Sequence, residues 1–79
     1  MNGNEVINHV DWHRIDIVAA IHKAGFTMRE LSTAAGLAPD TLKNALHRHY
    51  PKGERIIADV LGTMPEHIWP SRYSYKRRM

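Results

Sequence analysis

Apolar residues recur at helical spacing in several short segments of the chain, which glycine and proline residues separate. The first segment follows Asp11, a residue type that suits the N-cap of a helix. The residues on one helical face are Trp12, Ile15, Val18, Ala19 and either Ile21 or His22. Gly25 suits the position just after a helix end. The spacing therefore predicts a first helix that starts at Asp11 and ends before Gly25.

A second helix is indicated by the spacing of Thr27 and Glu30. This is the spacing of a capping box, in which each side chain accepts a hydrogen bond from the other residue's backbone N–H. The box predicts a helix over residues 28–35, with Leu31 on its inner face. Gly36 can adopt a positive φ without steric penalty, so a sharp turn is expected there.

A third short helix is predicted over residues 39–47. Leu37 is expected to anchor the preceding turn in the core. Pro39 suits the first turn of a helix, where its missing N–H is not needed. Two short helices joined by a glycine turn are typical of a helix-turn-helix, whose second helix enters the DNA major groove.

The remaining chain predicts one longer helix and one helical turn. Residues 50–53 are expected to form a linker, because a residue before proline avoids helical geometry. A fourth helix is predicted over residues 54–61. One further turn is predicted over residues 65–68, and Pro70 is expected to end it, with a polar tail after it.

Length and composition are those of one small domain. The chain has 79 residues, 43% of them hydrophobic, which suffices for one core. We expect a flexible arm over residues 1–10, a helix-turn-helix domain over residues 11–73 and a basic tail over residues 74–79. The formal net charge of +3 suits a polyanionic partner such as DNA.

Several classes of protein are disfavoured by what the sequence lacks. It has no cysteine, which excludes disulfides and thiolate metal sites. No apolar run reaches membrane-spanning length, and the N-terminal residues do not resemble a signal peptide, so we expect a cytoplasmic, nucleoid-associated protein without membrane contact. The six histidines show no spacing for a metal site, and no catalytic motif is present. We therefore expect no enzyme activity, cofactor, metal or small-molecule ligand.

The third predicted helix has a polar outward face. Its inner face carries Leu42, Ala45 and Leu46, and its outer face carries Asp40, Asn44 and His47, with Lys43 and Arg48 on the flanks. Base edges are bound by directional hydrogen-bonding groups, and phosphates are bound by cations and N–H donors. This distribution therefore predicts that the outward face binds double-stranded DNA.

Different roles are expected for the outward residues. Asn44 can pair with adenine N6 and N7, and Thr41 can contact a thymine methyl group or a phosphate. Lys43 and Arg48 can hold phosphates. Asp40 either accepts a hydrogen bond from cytosine N4 or only complements the helix dipole.

Further candidates flank the third helix. Arg29 and the backbone N–H of Thr27 lie at the start of the second helix, where phosphates bind favourably. Lys52 lies on the loop just beyond the third helix. Each residue taken singly could be an ordinary solvated side chain, whereas the set together favours DNA binding. The full set of candidates is Thr27, Arg29, Pro39, Asp40, Thr41, Lys43, Asn44, His47, Arg48 and Lys52.

Longer segments resemble the Ner family, small DNA-binding regulators of Mu-like transposing phages and their bacterial relatives. The matching segments are Asp11-Trp12-His13-Arg14, Leu31-Ser32, Ala38-Pro39 with Thr41-Leu42, Asn44-Ala45-Leu46 and Pro51-Lys52-Gly53-Glu54. The most distinctive one is Ile68-Trp69-Pro70-Ser71-Arg72-Tyr73. The resemblance spans about residues 11 to 73. It implies an all-α, five-helix fold similar to lambda repressor-type domains, and a sequence-specific operator binder that represses early phage transcription. By position, the recognition helix falls on residues 39–47, with Thr41, Lys43 and Asn44 as the main contacts.

Two alternatives stay open at the level of sequence. The same fold could serve as a protein-interaction or structural module, in which the third helix docks a partner protein. A DNA-binding protein could also activate transcription, because the sign of regulation depends on where the operator lies. Since no dimerisation helix is evident, we expect a monomer in solution that pairs on repeated half-sites of its operator.

Overall fold

The computed structural model describes residues 10–77 of the chain, and these residues form five α-helices and one 3₁₀ helix. In chain order they are α1 (Arg14–Lys23), α2 (Met28–Ala34), the 3₁₀ helix (Leu42–Leu46), α3 (Pro51–Leu61), α4 (Pro65–Ile68) and α5 (Pro70–Arg77). None of the described residues belongs to a strand. The all-α, five-helix expectation is therefore confirmed.

One hydrophobic core holds the helices together. It is built from buried side chains of every element except α5: Ile17, Ile21, Leu31, Leu42, Ala45, Ile57, Ala58 and Ile68, with Trp69 just before α5. Burial of each large aliphatic side chain contributes about 1.5–3 kcal/mol. Because the 3₁₀ helix packs against both α2 and α3, this core fixes its position relative to α2.

The capping box and the glycine turn form as predicted. The Thr27 N–H donates to Glu30 Oε1 (2.9 Å), and the Glu30 N–H donates to Thr27 Oγ1 (3.1 Å). Gly36 has φ of +80° and lets the Leu37 N–H reach the Ser32 carbonyl at 2.9 Å. Leu37 is half-buried against the core, so it anchors the turn as expected.

The first helix begins later than predicted. Its N-cap is His13, whose Nδ1 accepts from the Ile15 N–H (3.1 Å). Asp11 caps α5 instead, with Oδ1 accepting from the Ser71 N–H (2.9 Å) and Oδ2 from Ser71 Oγ (2.6 Å). Three residues expected on the inner face of the first helix are exposed: Trp12 by 41%, Ile15 by 65%, and Ala19. The residues that α1 buries are Ile17 and Ile21.

The prediction of an α-helix over residues 39–47 was wrong. Residues 39–41 form a turn, and only Leu42–Leu46 is helical, with 3₁₀ geometry. The buried Ser32 side chain explains the difference. In an α-helix the Leu42 N–H would bond the Ala38 carbonyl. Here the Leu42 N–H donates to Ser32 Oγ (3.2 Å), and that hydroxyl donates to the Ala38 carbonyl (2.5 Å).

The C-terminal half contains more helix than predicted. α3 begins at Pro51 rather than Glu54, because proline is favourable at the first helical position. For the same reason Pro70 starts α5 rather than ending the chain's helical part. The polar tail expected from Ser71 is therefore helical through Arg77. The expected arm over residues 1–10, apart from Val10, and the last two residues lie outside the described residues.

Candidate nucleic-acid interface

The start of α2 and the turn before the 3₁₀ helix meet at an exposed surface. Arg29 Nη1 lies 2.9 Å from Asp40 Oδ1, and Lys43 Nζ lies 3.9 Å from the same oxygen. The side chains of Arg29, Asp40 and Lys43 are 67%, 64% and 57% exposed. The fold therefore brings together three of the predicted site residues, from two elements, in one cluster of charges.

The 3₁₀ geometry changes which side chains share a face. With three residues per turn, positions three apart eclipse one another. Thr41, Asn44 and His47 therefore align along one edge, and consecutive N–H to carbonyl bonds of 3.0 Å connect their backbones. The sequence predicted Asp40, rather than Thr41, beside Asn44 and His47. Asp40 instead shares an edge with Lys43, which explains their ion pair.

The predicted site residues differ in accessibility. Thr41 and Asn44 are half-buried. The exposed members of the set are Thr27, Arg29, Pro39, Asp40, Lys43, His47, Arg48 and Lys52. Lys52 lies in the first turn of α3 rather than on a loop. The N–H of Thr27, considered above as a phosphate donor, is already bound by Glu30 in the capping box.

A buried ionic network behind the 3₁₀ helix was not predicted from the sequence. Glu54 is fully buried, and its Oε2 accepts from the Tyr50 N–H (2.7 Å) and Arg72 Nη1 (2.9 Å) and lies 2.9 Å from His49 Nδ1. Its other carboxylate oxygen accepts from the Tyr73 hydroxyl. Arg72 also donates to the Ala45 carbonyl at 2.6 Å. The network therefore joins α3 and α5 to the 3₁₀ helix.

The network sets the ionisation of its members. Burial alone would raise the pKa of Glu54, but the hydrogen bonds from Tyr73, the Tyr50 backbone, His49 and Arg72 together hold that pKa below its ordinary 4.5. Burial and the neighbouring Glu54 carboxylate raise the pKa of the Tyr73 phenol. Glu54 is therefore a carboxylate, and Tyr73 a neutral donor, at neutral pH.

Sequence spacing alone gave no signal for this network. Glu54 and Arg72 are 18 positions apart, in segments that were each noted separately for their resemblance to one family. A glutamate near a helix N-terminus is also an ordinary surface residue, because it complements the helix dipole. Only the tertiary structure, in which α5 packs against α4 and its Arg72 and Tyr73 bond to Glu54, shows that Glu54 is enclosed.

Neither a metal site nor a membrane-spanning helix is found among the described residues. No three of their histidine or carboxylate side chains converge in a way that could hold a metal ion. Within residues 10–77, every helix is too short or too polar to cross a membrane.

Comparison with known proteins places the chain in a family. The family model described as winged helix-turn-helix DNA-binding matches residues 11–79. A negative regulator of transcription from Escherichia phage D108 is 52% identical over 73 residues, which cover 92% of this chain and 100% of that protein. The solution structure of the Mu Ner protein superposes with a TM-score of 0.70 at 57% identity, covering 80% of this chain and 85% of that one. The chain belongs to the Ner family of helix-turn-helix DNA-binding proteins.

The chain is also similar to a protein from a bacterium. Sugar fermentation stimulation protein B of Escherichia coli K12 is 54% identical over 66 residues, covering 84% of this chain and 72% of that protein. Family membership confirms the resemblance seen in the sequence, and DNA as the partner. Residues 10–77 contain no strand, so the described part of this Ner protein has no β-wing.

Proposed function

We propose that this protein is a transcriptional repressor that binds a specific double-stranded operator with one surface, here called the DNA-facing surface. This surface comprises the start of α2, the turn over residues 39–41, the 3₁₀ helix and the first turn of α3. The observation that carries the proposal is the exposed cluster of Arg29 and Lys43 from two elements beside the aligned edge of the 3₁₀ helix. Cations beside directional hydrogen-bonding groups are what phosphates and base edges require.

Within this surface, base recognition is proposed for the aligned edge. Asn44 pairs with an adenine, and Thr41 contacts a thymine methyl group or a phosphate. His47 continues the same edge. Phosphate contacts are proposed for the exposed cations Arg29, Lys43, Arg48 and Lys52. Thr27 and Pro39 flank these cations and make van der Waals contact with the sugar-phosphate backbone of the DNA.

Repression is favoured over activation by the names of relatives. The D108 and Mu relatives, 52% and 57% identical to this chain, are both named negative regulators of transcription. A repressor acts by occupying its operator and needs no catalytic group, so we propose no enzyme activity. As an operator-binding protein of bacterial or phage DNA, it acts in the cytoplasm.

Pairing on DNA is part of the proposal. A module of this size reads only a few base pairs, so useful affinity requires two copies on half-sites about one helical turn apart. We propose a monomer in solution that pairs on its operator. Sedimentation should show a monomer without DNA and two copies per selected duplex, whereas a tight dimer without DNA would contradict this part.

The experiment that tests the function is selection of bound duplexes from a random pool, followed by titration at several salt concentrations. A specific site should emerge, and its affinity should fall steeply with salt. Lys43→Ala should weaken binding to all sequences, and Asn44→Ala should relax the choice at one base. Arg55→Ala removes an equal charge from α3, beyond the first turn that joins this surface, and serves as the control.

The alternative of a protein-interaction module predicts a different outcome. A module of that kind would select no sequence, and its residual attraction to DNA would be the same for Lys43→Ala and Arg55→Ala. Absence of a selected site would therefore contradict the proposed function.

A further inference from the structure

Asp40 places a negative charge inside the DNA-facing surface. Its Oδ1 lies 2.9 Å from Arg29 Nη1 and 3.9 Å from Lys43 Nζ, so one oxygen contacts both cations. A phosphate that approaches either cation must compete with this carboxylate and is also repelled by it. In the free protein, therefore, two of the proposed phosphate-binding groups are occupied by a group of the protein itself.

The exposure of this cluster indicates a role in binding rather than in folding. All three side chains are more than half exposed. Ion pairs as exposed as these contribute little to stability, because water screens them and because the long side chains lose freedom when they pair. The same exposure leaves Asp40 able to release its partners when a better arrangement is available.

A sequence-dependent exchange supplies that better arrangement. In the major groove a carboxylate binds favourably only where a base offers an amino group as a hydrogen-bond donor, as cytosine does at N4. Where it meets such a donor, Asp40 can release Arg29 and Lys43 to nearby phosphates. Elsewhere on DNA, Asp40 either keeps its cations or faces phosphates with no partner of its own.

We infer that Asp40 is a specificity-determining residue that weakens binding to non-operator DNA by holding Arg29 and Lys43 away from phosphates. The inference rests on the proposed function, since it assigns the cluster to the surface that meets DNA. It predicts that removing the charge of Asp40 strengthens binding to non-operator DNA more than binding to the operator.

The test compares Asp40→Asn with a matched control, Asp59→Asn. Asp59 is an exposed carboxylate on α3, outside the DNA-facing surface, so both variants change the net charge equally. Dissociation constants are measured by fluorescence anisotropy on a random-sequence duplex and on the duplex that the unaltered protein selects from a random pool. Thermal unfolding checks that each variant is folded.

Asp40→Asn should bind the random duplex about three- to tenfold more tightly, which is the range that the loss of two exposed ion pairs allows. Its gain in affinity for the selected duplex should be smaller, or its affinity for that duplex should decrease. The ratio of the affinity for the selected duplex to the affinity for the random duplex therefore falls. The slope of the binding constant against salt concentration, on logarithmic axes, should steepen on the random duplex by the amount that up to about two added phosphate contacts give. Asp59→Asn should lower the dissociation constants for both duplexes by the same, smaller factor.

A second variant isolates the partner of Asp40. Adding Arg29→Gln to Asp40→Asn should remove most of the gain on random DNA, since the released cation is then absent. If Asp40→Asn matches Asp59→Asn on both duplexes, or gains equally on both, the inference about Asp40 is overturned while the proposed function stands. If the unaltered protein selects no duplex, the proposed function itself fails.

Discussion

Ser32 shows how one buried hydroxyl determines the type of a neighbouring helix. Ser32 is a small side chain of α2 that is fully buried, and α2 packs against the 3₁₀ helix. What the sequence did not indicate is the insertion of its hydroxyl between the Ala38 carbonyl and the Leu42 N–H. Alanine and serine fit the same space and the same pattern, so the hydrogen bonds could be seen only in the structure.

Ser32→Ala should destabilise the protein by about 1–3 kcal/mol, because it leaves the buried Leu42 N–H without its acceptor. The Ala38 carbonyl still accepts from the Thr41 N–H. Urea denaturation measures the effect. Thr33→Ala, at the exposed neighbouring position, is the control and should stay within about 0.5 kcal/mol of the unaltered protein. Equal stability of the two variants would show that the backbone groups find each other directly once the hydroxyl is removed.

Gly53 is required by close packing rather than by its backbone conformation. A Cβ at this position would lie 2.7 Å from Tyr50 Cδ2 and 3.2 Å from Ala45 Cβ, and Ala45 belongs to the 3₁₀ helix. The sequence predicted that this glycine lies in a linker over residues 50–53. The structure shows instead a helical glycine on which the Tyr50 ring lies.

Gly53→Ala should therefore destabilise the protein by about 1–3 kcal/mol, although alanine is the better helix former. The measurement is again the free energy of unfolding in urea. Lys52→Ala, at the adjacent exposed position of the same helix, should change it little. A Gly53→Ala variant as stable as the unaltered protein would mean that the Tyr50 ring moves away freely.

At the scale of whole elements, two local sequence signals were reliable, and contacts between distant segments were not foreseen. The capping box of Thr27 with Glu30 and the turn at Gly36 involve neighbours in sequence, and both formed as predicted. Asp11 was assigned to the nearest following helix, whereas its carboxylate accepts from Ser71, 60 positions later in the sequence, in the first turn of α5. The sequence shows that a residue is of a type that caps helices. It does not show which helix end the fold brings next to that residue.

Removal of the Asp11 carboxylate should loosen α5. Asp11→Ala should lower the stability by about 0.5–2 kcal/mol, the usual effect of losing a helix cap. Thermal unfolding followed by circular dichroism measures both stability and helix content. Asp59→Ala removes the same charge near the C-terminal end of α3, where its loss is neutral or slightly stabilising. If both variants melt together, the contacts to Ser71 contribute nothing to α5.

At the scale of the whole molecule, the Glu54 network connects the last helix to the DNA-facing surface. Arg72 of α5 binds both Glu54 of α3 and the Ala45 carbonyl of the 3₁₀ helix, and its guanidinium lies 5.0 Å from the centre of the Trp69 ring. The family resemblance predicted the number of helices, but it did not predict this connection between them. Pairing of a glutamate and an arginine in distant segments depends on the tertiary fold, which one sequence alone does not specify.

The same network predicts how stability depends on pH. The folded-state pKa of Glu54 lies below its ordinary 4.5, so in acid the unfolded state binds this proton first. The stabilisation by Glu54 is thus fully present above about pH 4.5 and is lost as the pH falls through the lower folded-state value. The free energy of unfolding, measured in urea from pH 6 downward, should decrease over this interval.

Glu54→Gln identifies the group responsible. This variant should be less stable at neutral pH by about 3–5 kcal/mol, because Arg72 is left without its buried partner. It should also lose part of the decrease in acid. Glu30→Gln is the matched control, because glutamine preserves the capping box and leaves the buried network intact. If the dependence on pH is the same in Glu54→Gln as in Glu30→Gln, then acid destabilises this protein through its surface carboxylates, and the buried network does not set its response.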